Sequence, residues 1–342
     1  MRNRIALIAV LVVSLLLPAL ADTPATPPSL TLVKAWHGKD GPVMGADFHP
    51  KGGQVAFGTQ SGVLHVRDLT GNDNNSTLKN AACWVAYSPF VVAANPNGTP
   101  LGMSSLVTLA PDSTMTIWFP DTFQRQGYYP DSGTNGALSE NGRILAVTFG
   151  KMKIHIWHMD HWDPSWHSIK MREPSGVSGR VTTLGLNQNG SVLASGYLLD
   201  DGKGALVIWD RLTGKQLNTL PLDQAPGQVC FTPKTKKMLA VVGRNADGSG
   251  LVRIISESGD KVVATFPASP SPVLRAAFSH DERYLATGRV DGTIDVWEVA
   301  SGTIVATMAG AHTGAVRSLA WSHDDALLAS GGEDGRMCLW KR

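Results

Sequence analysis

The chain of 342 residues has little cysteine, little charge and no run of one charge sign. Its three cysteines, Cys83, Cys230 and Cys338, show neither CxxC nor CxxCH spacing. This excludes a CxxC site and covalent attachment of a c-type haem, and an odd count leaves at least one thiol free. Charged residues make up only 17% against 43% hydrophobic, ample material for a packed core. The local motifs of common chemistries are missing too. No nucleophile elbow, P-loop or HExxH occurs, and Asp73-Asn74-Asn75-Ser76 lacks the glycine that a calcium loop requires. No cofactor is therefore expected.

At the amino terminus Arg2 and Arg4 precede an apolar run over residues 5–17 and then Ala19-Leu20-Ala21. A charged head, a short apolar segment and small residues at a cleavage site predict a signal peptide over residues 1–21. The run is short for a membrane span, and no cysteine follows the cleavage site to carry a lipid. Residues 22–28, rich in Pro and Thr, read as a flexible leader. The expected mature protein is exported, secreted or periplasmic, with no membrane anchor after cleavage. Removing the signal takes two of the 30 basic residues and none of the 28 acidic ones, leaving 28 of each. Such balance argues against nucleic acid as a partner, despite a pI near 8.4.

What the chain does have is a repeat. Phe278, Ser279, His280, Asp281, Asp291, Gly292 and Trp297 return as Trp321, Ser322, His323, Asp324, Asp334, Gly335 and Trp340, each 43 residues later. A fixed period of this length marks a four-stranded propeller blade. Residues 316–321, 327–330 and 336–340 read as strands a, b and c, the last following a tight turn at Glu333-Asp334-Gly335. Residues 303–308 supply the outer strand d. The pattern resembles the WD-repeat family, whose Gly-His pair before strand a is half kept as Ala311-His312. Its closing Trp-Asp pair is half kept as Trp340-Lys341 and intact as Trp209-Asp210. The resemblance implies a buried hydrogen-bonded chain of His312, Ser330, Asp334 and Trp340. Blade six matches with Thr287, Asp291 and Trp297 but has Ser269 in place of the His, so its network is incomplete. A His, a Ser and an Asp form a nucleophilic triad elsewhere; here the resemblance gives them a structural role.

The position ending strand c reads Arg67, Trp118, Trp157, Trp209, Ile255, Trp297 and Trp340. Seven blades over residues 29–342 follow: an all-β, seven-bladed propeller of four-stranded antiparallel blades. The chain stops after strand c of the seventh copy, and residues 30–36 form a spare outer strand. This strand is expected to pair with the last blade and close the ring, removing exposed edges. Blade two carries an apolar insertion at residues 90–103. Blades four and five lengthen their b–c hairpins, over residues 198–204 and 244–250. Loops of this kind commonly bind partners in WD-repeat propellers, which makes Asp200, Asp201, Lys203, Arg244 and Asp247, with Glu333 of blade seven, the candidate contacts; tolerated loop growth at a surface is the competing reading.

Two further stretches carry chemistry-bearing residues. His155, His158, His161 and His167 lie within thirteen residues with Asp160 and Asp163. They are weak candidates for a metal site, because strand alternation points His155 and His158 to opposite sides and no helix brings imidazoles together. Asp210-Arg211-Leu212-Thr213-Gly214-Lys215 is similar to a turn of quinoprotein propellers and also to ordinary WD-repeat c–d turns, which Trp209 favours. The expectation is an exported, monomeric, noncatalytic scaffold that binds protein partners through loops on one face. The alternative is a propeller enzyme, lactonase-like or a hydrolase, acting on a small molecule at the central channel.

Overall fold

The computed structural model describes residues 29–70, 76–78, 83–89, 104–119, 122, 124–130, 133, 135–159 and 169–342. The expected signal, leader and apolar insertion of blade two all fall outside these residues, as do His161 and His167. Seven four-stranded antiparallel sheets form the fold. In blade four, for example, strands a to d are Gly179–Leu186, Val192–Leu199, Gly204–Asp210 and Lys215–Leu222. Blade seven is made of Val316–Trp321, Leu327–Gly332 and Arg336–Lys341, and its outer strand is Thr31–His37 from the other end of the chain. Leu32 pairs with Trp340, and His37 with Arg336. The ring closes as its ends anticipated.

Strand alternation explains how the blades stack. Successive side chains on a strand point to opposite faces, so each sheet, apolar on both, must be covered twice. In blade five, Ala240, Val242, Val252 and Ile254 pack against Val273, Phe278 and Trp297 of blade six. The intervening Leu239, Val241 and Ile255 pack against Ala194, Leu206 and Ile208 of blade four. The same division continues round the ring. Its last seam joins Val43, Val55 and Phe57 of blade one to Ala329, Met337 and Leu339 of blade seven. Among the described residues each apolar cluster lies between two neighbouring blades. The apolar interior is a series of seams between blades, and the axis is left as a channel.

Carboxylates at the a–b turns tie neighbouring blades together. Glu282, in a left-handed conformation with φ 57°, accepts hydrogen bonds from the backbone N–H groups of Lys234 and Thr235 in blade five, at 2.6 and 2.8 Å. Its counterpart one repeat later, Asp325, has the same φ of 57° and accepts from the N–H groups of His280 and Asp281, at 2.7 and 2.8 Å. A left-handed backbone costs a residue with a Cβ roughly 1–2 kcal/mol. Two charge-assisted bonds to another blade offset that cost.

Candidate functional site

The ring has two working ends. One is built by b–c hairpins and the starts of the a strands, the other by the a–b turns. At the first, the blade-four hairpin closes with Leu199 N–H donating to Lys203 O and Gly202 N–H to Leu199 O, at 2.9 and 3.0 Å. In blade five the equivalent bonds are Asn245 to Ser249 and Gly248 to Asn245, at 2.8 and 3.0 Å. Gly202 and Gly248 take φ of +84° and +90°, which a side chain would oppose. Asp200, Asp201, Lys203, Arg244, Asp247 and Glu333 are all exposed. They are not equally free to meet a partner. Asp201 accepts from Lys203 N–H at 2.9 Å, and Asp247 from the N–H and hydroxyl of Ser249, so both shape their own turns. Glu333 lies 3.3 Å from the guanidinium of Arg317.

Arg317 also lines the channel below these hairpins, together with Arg275, in a cavity of about 350 Å³. Arg275 donates from Nε to Arg317 O at 2.6 Å and from Nη1 to Leu274 O at 2.8 Å. Burial, and then the charge of Arg317, push its pKa down to about 10. Two guanidinium groups line this end of the channel, that of Arg317 paired with Glu333.

The opposite end is a cavity of about 300 Å³ lined by Asp47, Glu140, His280 and His323. Asp47, on strand a of blade one, accepts from Phe48 N–H at 2.9 Å and from Tyr87 N–H of blade two at 2.7 Å. Burial raises its pKa to about 7 against the lowering effect of those two bonds. His280 Nδ1 lies 3.2 Å from Asp325 Oδ1, and its Nε2 lies 3.5 Å from Glu140 Oε1. Burial pulls the His280 pKa down, but the bond to Asp325 and the charges of Glu140, Asp325 and Asp47 outweigh it and raise it overall. Burial, and then the charge of His280, hold His323 below the usual imidazole range. The walls of the cavity shield Glu140 from bulk water and raise its pKa even though its side chain keeps 36% exposure at the mouth, with His280 and Lys234 opposing. The channel therefore runs from guanidinium groups at one mouth to carboxylates and imidazoles at the other.

The structure brings His312, Ser330, Asp334 and Trp340 together inside blade seven. His312 Nδ1 lies 3.1 Å from Asp334, and Nε2 lies 2.9 Å from Ser330 Oγ, which also accepts from Trp340 Nε1 at 2.9 Å. Burial holds the His312 pKa below its ordinary value, partly countered by Asp334. In blade six Trp297 Nε1 donates to Thr287 Oγ1 at 2.8 Å, while Asp291 accepts from Thr293 N–H within its turn. Ser269 hydrogen-bonds to Ser271 O instead of joining that pair. His155 and His158 sit three positions apart on the unbulged strand Lys153–His158, which places them on opposite faces. Asp210 accepts from Thr213 N–H at 3.1 Å in an ordinary c–d turn, where Gly214 has φ +67°.

The gathering of Glu140, His280 and His323 at the a–b mouth was not legible in the sequence. His280 and His323 stood out as repeat equivalents, but a repeat reads equally well as turn structure. Glu140 of blade three occupies the same turn position two residues after the end of strand a, Ser139-Glu140-Asn141 matching Ser279-His280-Asp281 and Ser322-His323-Asp324, but only closure of the ring shows that these three copies meet at the axis.

Residues 260–298 and 302–341 match the model of the "WD domain, G-beta repeat" family. Each match runs from an outer strand through strand c of the following blade. The chain is 22% identical to eukaryotic translation initiation factor 3 subunit I of Phaeosphaeria nodorum over 161 residues, covering 45% of this chain and 47% of that protein. It is 24% identical to the same subunit of Schizosaccharomyces pombe over 184 residues, 52% of this chain and 53% of that protein. It is 30% identical to small ribosomal subunit protein RACK1 of Drosophila melanogaster over 128 residues, 36% of this chain and 39% of that protein. The chain thus spans about half the length of the translation-factor relatives it matches. The match to WD repeats thus lies in the last two blades of the seven-bladed ring, from the outer strand of blade five onward.

Proposed function

We propose that this chain is a noncatalytic interaction scaffold that captures a protein partner on its b–c hairpin face. The observation that carries this reading is the pair of long hairpins on adjacent blades, which hold exposed Asp200, Lys203 and Arg244 over a closed ring. Both loops have their turn hydrogen bonds made internally, so little ordering entropy is lost when a partner arrives. The relatives support the reading at a coarser level: they are named as subunits of a translation initiation factor and of the small ribosomal subunit. The proposal includes export through cleavage after residue 21 and action as a monomer.

Asp200 is the cleanest probe of the face, since Asp201 and Asp247 also build their turns. Affinity capture from the native exported fraction is compared between wild type and Asp200→Lys/Arg244→Glu, each checked for an unchanged thermal transition. A specific protein retained by the wild type and reduced at least about tenfold in the variant is expected, the loss of one or two good interface contacts. Equal retention by both proteins rejects this face.

A further inference from the structure

The a–b mouth of the channel holds the one group of three side chains, among the described residues, whose donor atoms stand close enough to share an ion: Glu140, His280 and His323. We infer that these three residues bind a first-row divalent cation on the propeller axis, with Zn²⁺ as the probe.

The distances suit an ion of that size. All three donor atoms lie within 4.8 Å of one another, and His280 Nε2 is 3.5 Å from Glu140 Oε1. Around a tetrahedral ion with bonds of about 2.0–2.1 Å, neighbouring donors stand about 3.4 Å apart. One edge of the site is therefore already set. The remaining closure falls to Glu140 and His323, whose exposed side chains turn without moving the backbone.

Orientation supplies the second argument. A metal-ligating imidazole ordinarily donates its other N–H to a carboxylate, which fixes the tautomer and aims the lone pair. Asp325 stands in that position at His280 Nδ1, 3.2 Å away. Asp325 is itself held by the backbone N–H groups of His280 and Asp281. The His280 ring is thus fixed with Nε2 toward Glu140. The rings of His280 and His323 lie with centroids 4.4 Å apart, so both imidazoles reach the same point.

The donor set chooses the class of ion. Two imidazoles and one carboxylate suit zinc and its neighbours, whereas magnesium and calcium prefer oxygen throughout. Asp47, Asp324 and Asp325 add negative charge around the mouth, and Lys234 is the opposing cation. Three protein ligands leave a fourth coordination position open to the channel. Because Glu140 belongs to blade three and the imidazoles to blades six and seven, a bound ion also ties distant arcs of the ring together.

The test is titration of the tag-free full chain, stripped with a chelator, with Zn²⁺ by calorimetry and thermal shift. One ion per chain and a raised thermal transition are expected. Glu140→Gln and His323→Ala should each weaken binding at least about tenfold and abolish most of the thermal shift. Both side chains are exposed, so the metal-free transition should stay in place; Glu140→Gln also keeps the shape of the side chain. His158→Ala should bind like the wild type. The inference is overturned by the absence of saturable binding below about 1 mM, the weak end of specific affinities. It is equally overturned if Glu140→Gln and His323→Ala bind as tightly as the wild type, or if binding is lost on replacing His155, His158, His161 or His167 instead.

Discussion

At the scale of single residues, the most informative positions are the indole nitrogens that end strand c. Trp118, Trp209, Trp297 and Trp340 donate to Thr108, Ser195, Thr287 and Ser330 on the neighbouring strand b, at 2.8–2.9 Å. Leaving a buried donor or acceptor unsatisfied costs about 1–3 kcal/mol, so the hydroxyl matters more than its small size implies. Ser330 serves two buried groups at once, the Trp340 indole and His312 Nε2. Ser330→Ala should lower stability by about 2–4 kcal/mol in urea unfolding, and Thr287→Ala, which strands the Trp297 indole, by about half as much. Blade three provides the converse test. Val147 occupies the position ten residues before Trp157 where blades two, six and seven have a hydroxyl, and Trp157 Nε1 is buried with no hydrogen-bond partner among the described residues. Val147→Thr should therefore stabilise the protein by about 1 kcal/mol, the net worth of one new hydrogen bond. A loss of stability in that variant would mean that the buried hydroxyl fails to reach the indole.

At the scale of elements, the strand that closes the ring is the most exposed to test. Thr31–His37 pairs along Arg336–Lys341, and Trp36 packs into the seam between blades seven and one while Ala35 packs into the seam between six and seven. Deleting residues 29–37 opens both seams and bares an edge strand. The thermal transition should fall by about 10 °C or more, as expected for the loss of several kcal/mol from a chain of this length. An unchanged transition would show that blade seven holds without its fourth strand. This strand was legible in the sequence because the seventh copy visibly lacks its outer member. Blades six and seven were legible for a related reason: Trp297, Trp340 and the turn residues before them recur in phase, while blade four was marked by its intact Trp209-Asp210 pair. The ties at Glu282 and Asp325 were not. A carboxylate in a polar turn looks like ordinary surface, and nothing in its local sequence reveals that its acceptors serve another blade's N–H groups. Glu140 holds the same place in its copy as His280 and His323, but that the three meet was hidden, since its neighbours across the axis lie more than a hundred residues along the chain. Periodic features survive in one dimension; convergence at an axis is a property of the closed ring.

At the scale of the whole molecule, closure governs how the parts respond together. An open array of repeats has two ends and behaves as a sum of local stabilities and neighbour interfaces, so it unfolds in stages when a weak repeat is present. Here every blade has an apolar seam on both sides, the last seam joining blades seven and one. No blade can leave without breaking two seams. The intact ring should accordingly unfold in one transition, with the fluorescence of its ten tryptophans and its far-ultraviolet circular dichroism changing together. Removing the closing strand turns the ring back into an array with ends. In that variant the two signals should separate, and the apparent dependence on denaturant should fall, because less surface is exposed in each step. Coincident signals with an undiminished slope in the shortened chain would instead mean that the seams between blades one and seven hold the ring without the strand. The same rigidity is what allows the two ends of the channel to act separately. The hairpin carrying Asp200 and the a–b turns lie at opposite ends of the blades, so Asp200→Lys should leave Zn²⁺ binding at Glu140, His280 and His323 unchanged in calorimetry.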